Sequence, residues 1–227
     1  MRRVFCIILL FAAGCIGLPK YATPALNEPI EPEPSTESID SLALAAECLE
    51  RGDPTNAAVH LSHHVRKNPD QVMFRAMLAE QYFKLGKWAD AKREYEQSAD
   101  EYRIDISHHR DELIQCHTRL MLIGQEQEDE FAESFHRGAG LWLVIESLPR
   151  PERGSKLNEQ TLSQTLAQFR RALETRPDDA RANLMMGRVL LRMGQHAAAR
   201  SAFLKARTAP PDHFTQAEWE LIRENVS

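Results

Sequence analysis

The stretch LAEQYFKLGKWADAKREYEQS, Leu78 to Ser98, places apolar and small residues three and four positions apart on both sides of a single glycine, Gly86. That spacing gives each of two helices a buried stripe. The glycine between them ends the first helix, because without a Cβ it enters the left-handed backbone region at little cost. The arrangement recurs. Gly52 and Gly86 stand 34 residues apart. Leu44, Ala45 and Cys48 before Gly52 match Leu78, Ala79 and Tyr82 before Gly86, and Met186, Gly187 and Leu190 before Gly194. After each glycine, Ala57 and Leu61 match Ala91 and Tyr95, and then Ala199 and Phe203; Pro69 and Pro211 close the first and last of these units. The small residues Ala45, Ala79 and Gly187 let a paired helix approach, and Asp53-Pro54 starts a helix as a cap followed by proline in its first turn.

Repeat length and the order of small and large positions resemble the tetratricopeptide repeat (TPR), a helix-turn-helix unit. The resemblance implies an all-α, TPR-like helix-turn-helix solenoid, a right-handed superhelix whose first helices line a concave groove for peptides or helices of partner proteins. Carrying the family's groove positions over gives Met73, Ala76, Glu80 and Phe83 in the second unit and Arg181, Leu184, Arg188 and Leu191 in the last. The first unit contributes Ile39, Leu42, Ala46 and Leu49, so the groove is apolar at one end and basic at the other. Members that clamp a C-terminal carboxylate use asparagines and lysines at some of these places. Ala46, Glu80 and Arg188 depart from that, and no clamp is expected. The protein's own linker or cap is an alternative occupant of the groove.

Helices are predicted over 39–51, 54–67, 71–85 and 87–101, then 109–123, 127–148 and 158–175, and finally 180–193, 195–206 and 215–225. Gly86 to Gly194 is 108 residues, three periods plus six, so the repeat does not tile the middle of the chain. The helix over 158–175 resembles a second half-repeat, with Phe169, Ala172, Leu173 and Pro177 in place. Three helices are an odd number for a two-layer stack: either one is displaced onto the side, or a short helix sits between Glu101 and His108. Pro149 to Gly154 reads as a loop. The last helix, with Trp219 and Ile222 on one side, would cap the exposed end of the core. The expected organisation is two repeats over 39–101, an irregular helical section over 102–178, and a repeat with its cap over 179–227.

Ahead of the repeats, Met1-Arg2-Arg3 precedes the apolar run Val4 to Gly14, too short to span a bilayer comfortably. It reads as a secretory signal. Ala13-Gly14-Cys15 resembles the end of a bacterial lipobox, which implies lipidation at Cys15; Ala12 departs from the leucine usual three places before the cysteine. An ordinary signal peptide or an uncleaved anchor are the alternatives. Residues 16–38, rich in proline and glutamate, bury too little apolar surface to order themselves and read as a tether from a membrane to the folded part.

The chain has 227 residues and a formal net charge of -5, with no basic excess to suggest nucleic acid. It carries no glycine-flanked serine and no phosphate-cradling glycine loop, so no catalytic residues and no cofactor are expected. The acids Glu126, Glu128, Asp129 and Glu130 open a helix, where they suit the positive dipole end. His108, His109, His117 and His136 cluster in the irregular middle beside Cys116, the basis of an alternative reading as a metal- or haem-handling protein. The spacing speaks against it. His109 and His117 are eight apart, about 80° round a helix, with no histidine at i+4 and no paired CxxC. Cys48 takes the place of a large core residue and reads as a buried thiol; a Cys48 to Cys116 disulfide would link helices that are not neighbours. The expectation is a non-catalytic, membrane-anchored, extracytoplasmic TPR lipoprotein of a bacterial envelope that binds protein or peptide partners. A third reading is an enzyme with its site in the irregular middle.

Overall fold

The computed structural model describes residues 36–147 and 156–226. The expected signal peptide, Cys15, most of the expected tether and the 149–154 loop lie outside the described residues. Ten α-helices follow one another there: α1 (Thr36–Glu50), α2 (Pro54–Lys67), α3 (Val72–Lys84), α4 (Trp88–Tyr102), α5 (Ile106–Glu126), α6 (Glu130–Ser147), α7 (Lys156–Thr175), α8 (Ala180–Arg192), α9 (His196–Ala206) and α10 (Gln216–Val226). A 3-10 turn over Arg103–Asp105 joins α4 to α5, and another over Pro211–His213 precedes α10. Each helix packs mainly on its neighbours in sequence, which makes the fold an all-α, TPR-like stack.

The turns after α1, α3 and α8 share one hydrogen-bond pattern. Gly52, Gly86 and Gly194 have φ of 67°, 67° and 74°. In each, the glycine N–H donates to the carbonyl three residues back, and the following N–H donates to the carbonyl five back: Gly86 to Phe83 at 3.1 Å and Lys87 to Tyr82 at 2.9 Å, for instance. Both bonds satisfy carbonyls that the helix end leaves open. After the turn, Asp53 accepts from the Asn56 N–H at 3.1 Å, with Pro54 in the first turn of α2.

The link from α5 to α6 is the same turn without a glycine. Glu128 has φ of 55°, its N–H reaches Gln125 at 3.2 Å, and the Asp129 N–H reaches Gly124 at 2.9 Å. Asp129 then caps α6 through the Ala132 N–H at 3.0 Å. A side chain in the left-handed region costs about 1–2 kcal/mol. Glu128→Gly is therefore expected to raise the unfolding free energy by about 1 kcal/mol, less the extra chain entropy of glycine. Urea denaturation checks this; a loss of stability would mean that the Glu128 side chain contributes something the backbone does not reveal.

Where α8 crosses α9, a Cβ added to Gly187 would sit 2.7 Å from the Phe203 ring. Where α6 crosses α7, a Cβ on Gly138 would sit 3.0 Å from the Phe169 ring. Helices α6 and α7 are thus a repeat pair built on the same contact of a glycine with a buried ring. They differ in reach: 31 positions separate Gly138 from Phe169, against 16 between Gly187 and Phe203. The extra residues fall in a longer end of α6, the connection 148–155 and a longer start of α7.

This resolves the odd helix count. Helix α5 is the additional one, preceded by the 3-10 turn and broken from regular geometry at His109 (φ -122°, ψ 26°). The core runs along the stack from Ala45, Leu61 and Leu78, through Tyr95, Leu113, Leu120 and Ile123, to Phe135, Phe169, Leu184, Phe203 and Ile222. Helix α10 closes the end: the Thr215 N–H donates to Glu218 at 2.8 Å, the Glu218 N–H donates to the Thr215 hydroxyl at 3.3 Å, and Ile222 and Val226 are buried.

Candidate partner-binding face

The sequence-derived groove residues of the first helices are found in two different states. On α1 and α3 they are partly open to solvent, although Leu42 and Ala76 also pack on the core. Met73 is 58% exposed and Ala46 is exposed, while Leu42, Leu49 and Ala76 are half-buried. Further along α3, Phe83 lies between Trp88, edge-on at 5.2 Å, and the guanidinium of Arg119 at 4.6 Å. Glu80 accepts two hydrogen bonds from Arg119, both at 2.9 Å, and one from the Tyr95 hydroxyl at 2.6 Å. Burial, reinforced by the bond to Glu80, pushes the Tyr95 phenol well above its ordinary range, so it stays a donor. Arg119 belongs to α5 and Glu80 to α3, so the extra helix is tied to the groove face at this point.

On α8 the corresponding residues are engaged within the molecule. Arg181 reaches Asp100 at the end of α4, at 3.0 Å. Leu184 is buried, Leu191 is half-buried, and Arg188 bonds Glu146 at 2.9 Å with its guanidinium 5.3 Å from the Trp142 ring centre. Arg103, just ahead of α5, bonds Glu218 of α10 at 2.7 Å. The space left between these elements is a cavity of about 30 Å³, lined by Ile106, Leu113 and His117 of α5, Phe135 and Trp142 of α6, and Leu184 and Arg188 of α8. Such a space holds about one water molecule. Met73 is thus open to solvent, whereas Arg181, Leu184, Arg188 and Leu191 are engaged within the molecule.

Histidines of the irregular section separate by role. His108 pairs with Asp105 at 2.7 Å, and the His109 ring lies 5.1 Å from that of Tyr102, tilted by 37°. His117 and His136 are bonded to each other, Nδ1 to Nδ1, at 2.9 Å. Among the described residues no three His, Cys, Asp or Glu side chains come together in a way that could hold a metal ion. Cys48 and Cys116 are separate, buried thiols, and burial pushes the Cys116 thiol up to about 12. Sequence reasoning missed Arg119, the Arg103 to Glu218 bond and the His117 to His136 pair. All three depend on where the extra helix lies, which no local pattern reports.

Residues 163–213, from within α7 to the turn before α10, match the tetratricopeptide repeat family. The recurring turns and the two glycine-to-ring crossings give the described residues as a whole a TPR-like helical repeat architecture. Solved structures similar to it include MamA from Desulfovibrio magneticus RS-1, 16% identical, covering 85% of this chain and 99% of that one with a TM-score of 0.39. A thermophilic TPR protein from Thermus thermophilus is 14% identical over 74% of this chain and 72% of its own, with a TM-score of 0.30. No curated protein matches the chain. Among the described residues no helix is long and apolar enough to cross a membrane.

Proposed function

We propose that this chain is a non-catalytic scaffold that binds a protein or peptide partner on the first-helix face of its repeats. We further propose that it works on the outer side of a bacterial membrane, held there by a lipid on Cys15. The observation that carries the binding role is Met73: a large apolar side chain of α3, 58% exposed, with the exposed Ala46 on the preceding first helix. Covering a methionine of this kind contributes about 1.5–3 kcal/mol, enough to anchor a peptide when neighbouring contacts add to it. A partner meets the α1 and α3 end first. Glu80, Phe83, Arg181, Leu184, Arg188 and Leu191 complete the surface once their internal contacts yield. The basic start, the short apolar run, Cys15 and the proline-rich segment after it support the anchor.

One experiment tests both parts. A photo-reactive residue is placed at position 73 or, as a control of equal exposure, at Val59 on the second helix of the first repeat (59% exposed). Each is made in cells carrying either Cys15 or Cys15→Ala. Capture of a discrete partner is expected from position 73 and not from 59, and Cys15→Ala should move the protein from the membrane to the soluble fraction. Equal capture at both positions would count against the binding face, and retention on membranes would count against the lipid.

A further inference from the structure

His117 of α5 and His136 of α6 meet at the back of the covered part of the face, with their rings 5.2 Å apart and tilted by 34°. Both rings stand edge-on to Phe135, at 6.5 and 5.1 Å. In the bond between their Nδ1 atoms one nitrogen donates its hydrogen and the other accepts. A first added proton puts a charge between the buried His117 and the half-buried His136, and a second removes the acceptor. The charged groups that face the pair from neighbouring helices are Arg181 of α8 and Lys92 of α4, so both protons arrive against like charge. Lys92 is itself tied to Asp129 at 3.6 Å, and Arg181 to Asp100 at 3.0 Å.

The pair lies in the contact that keeps α5 over the face. Ile106, Leu113 and His117 of α5 close the cavity against Trp142, Leu184 and Arg188. On its far side α5 shares a core with Tyr95 of α4 and Ala79 of α3. The geometry points to an acid-released cover: protonation of the His117–His136 pair parts α5 from α6 and α8 and uncovers Phe135, Trp142, Leu184 and Arg188 for the partner. This deepens the reading of the first-helix face as the binding surface and rests on it.

Burial, with the charge of Arg181, takes His117 down to about 3. Burial, the neighbouring His117, Arg181 and Lys92 hold His136 well below the histidine range. Both are neutral while covered, and once released they take up protons near pH 6.5, the ordinary value (about 6.5). The covered form therefore keeps its full stability above that pH and loses it as pH falls below it, toward the depressed values. Each histidine shifts the equilibrium toward release by about tenfold per pH unit, and the two together by about a hundredfold.

Hydrogen exchange of the full-length protein between pH 7.5 and 5.0, corrected for intrinsic rates, reads the opening without any partner. Amides of α5 and α6 are expected to open increasingly below about pH 6.5, with up to the hundredfold slope, while those of α2 and α9 do not follow. In the His117→Gln/His136→Gln variant, which hydrogen-bonds without titrating, the slope should vanish. Imidazole nitrogen shifts of the wild-type protein give a second measurement should that variant fold poorly, and both rings are expected to remain neutral at pH 6. Exchange in α5 that is independent of pH, a uniform response of all helices, a slope retained in the double variant, or two charged rings at pH 6 would each overturn the cover. None of these outcomes bears on crosslinking at position 73, so the two readings fail separately.

Discussion

Phe169→Ala is expected to lower the unfolding free energy by about 3–5 kcal/mol, the usual cost of deleting a fully buried aromatic ring. Phe169 is entirely buried, lies edge-on to Phe135 at 6.1 Å, and fills the space that Gly138 leaves open. Phe203→Ala should cost a similar amount, since the Phe203 ring rests on Gly187 in the same way. Urea unfolding followed by circular dichroism measures both. Gly138→Ala adds a methyl group 3.0 Å from two ring carbons of Phe169 and should also destabilise. Combined with Phe169→Leu it should destabilise by less than the sum, with a coupling of about 1 kcal/mol or more. Additive effects, or a loss below about 1 kcal/mol for Phe169→Ala, would mean that α6 and α7 are not locked as a repeat pair.

Glu80→Ala should cost about 2–4 kcal/mol by removing the acceptor of three hydrogen bonds at once. The Tyr95 hydroxyl, in a buried residue, loses its partner outright. Arg119 loses two bonds, but its side chain is 29% exposed, so water recovers part of that loss. The comparison with Tyr95→Phe isolates the terms: that change removes one bond and leaves the ion pair, for about 1 kcal/mol. Glu80→Gln should fall between the two, since it keeps an acceptor and loses the charge. Were Glu80→Ala no worse than Tyr95→Phe, the Arg119 contact would hold α5 to α3 only weakly.

How far the fold was legible follows from which residues carry it. Gly52, Gly86 and Gly194 mark their turns in sequence because the left-handed backbone selects glycine, and all three have it. Ala45 and Ala79, nearly without exposed surface, could be read from their spacing to those glycines. The turn at Glu128 was hidden because a glutamate bears the same backbone angle, so the link from α5 to α6 did not show in the glycine pattern. Gly138 was hidden for another reason: the repeat contact with Phe169 survives, but the lengthened hairpin between them breaks the period by which a repeat is found. The candidate face could be named from the sequence as a set of helix positions. Its division into an open end and a covered end was not, because cover comes from Asp100, Arg103, His117 and Arg119, whose partners lie on helices distant in sequence or outside the repeat register.

Stacked repeats ordinarily behave like a one-dimensional chain, each unit stabilised only by the next, so that melting starts at an end and proceeds inward. Two bonds interrupt that behaviour here. Arg181 to Asp100 spans 81 positions and Arg103 to Glu218 spans 115, the latter with both side chains largely shielded from solvent. They fasten the junction of α4 and α5 to the last repeat and its cap, turning part of a ladder into a loop of contacts. Fraying from the C-terminal cap must then disturb the middle of the molecule. At neutral pH, where α5 stays in place, the units from α4 to α10 should unfold together, with one cooperative transition in place of a graded one.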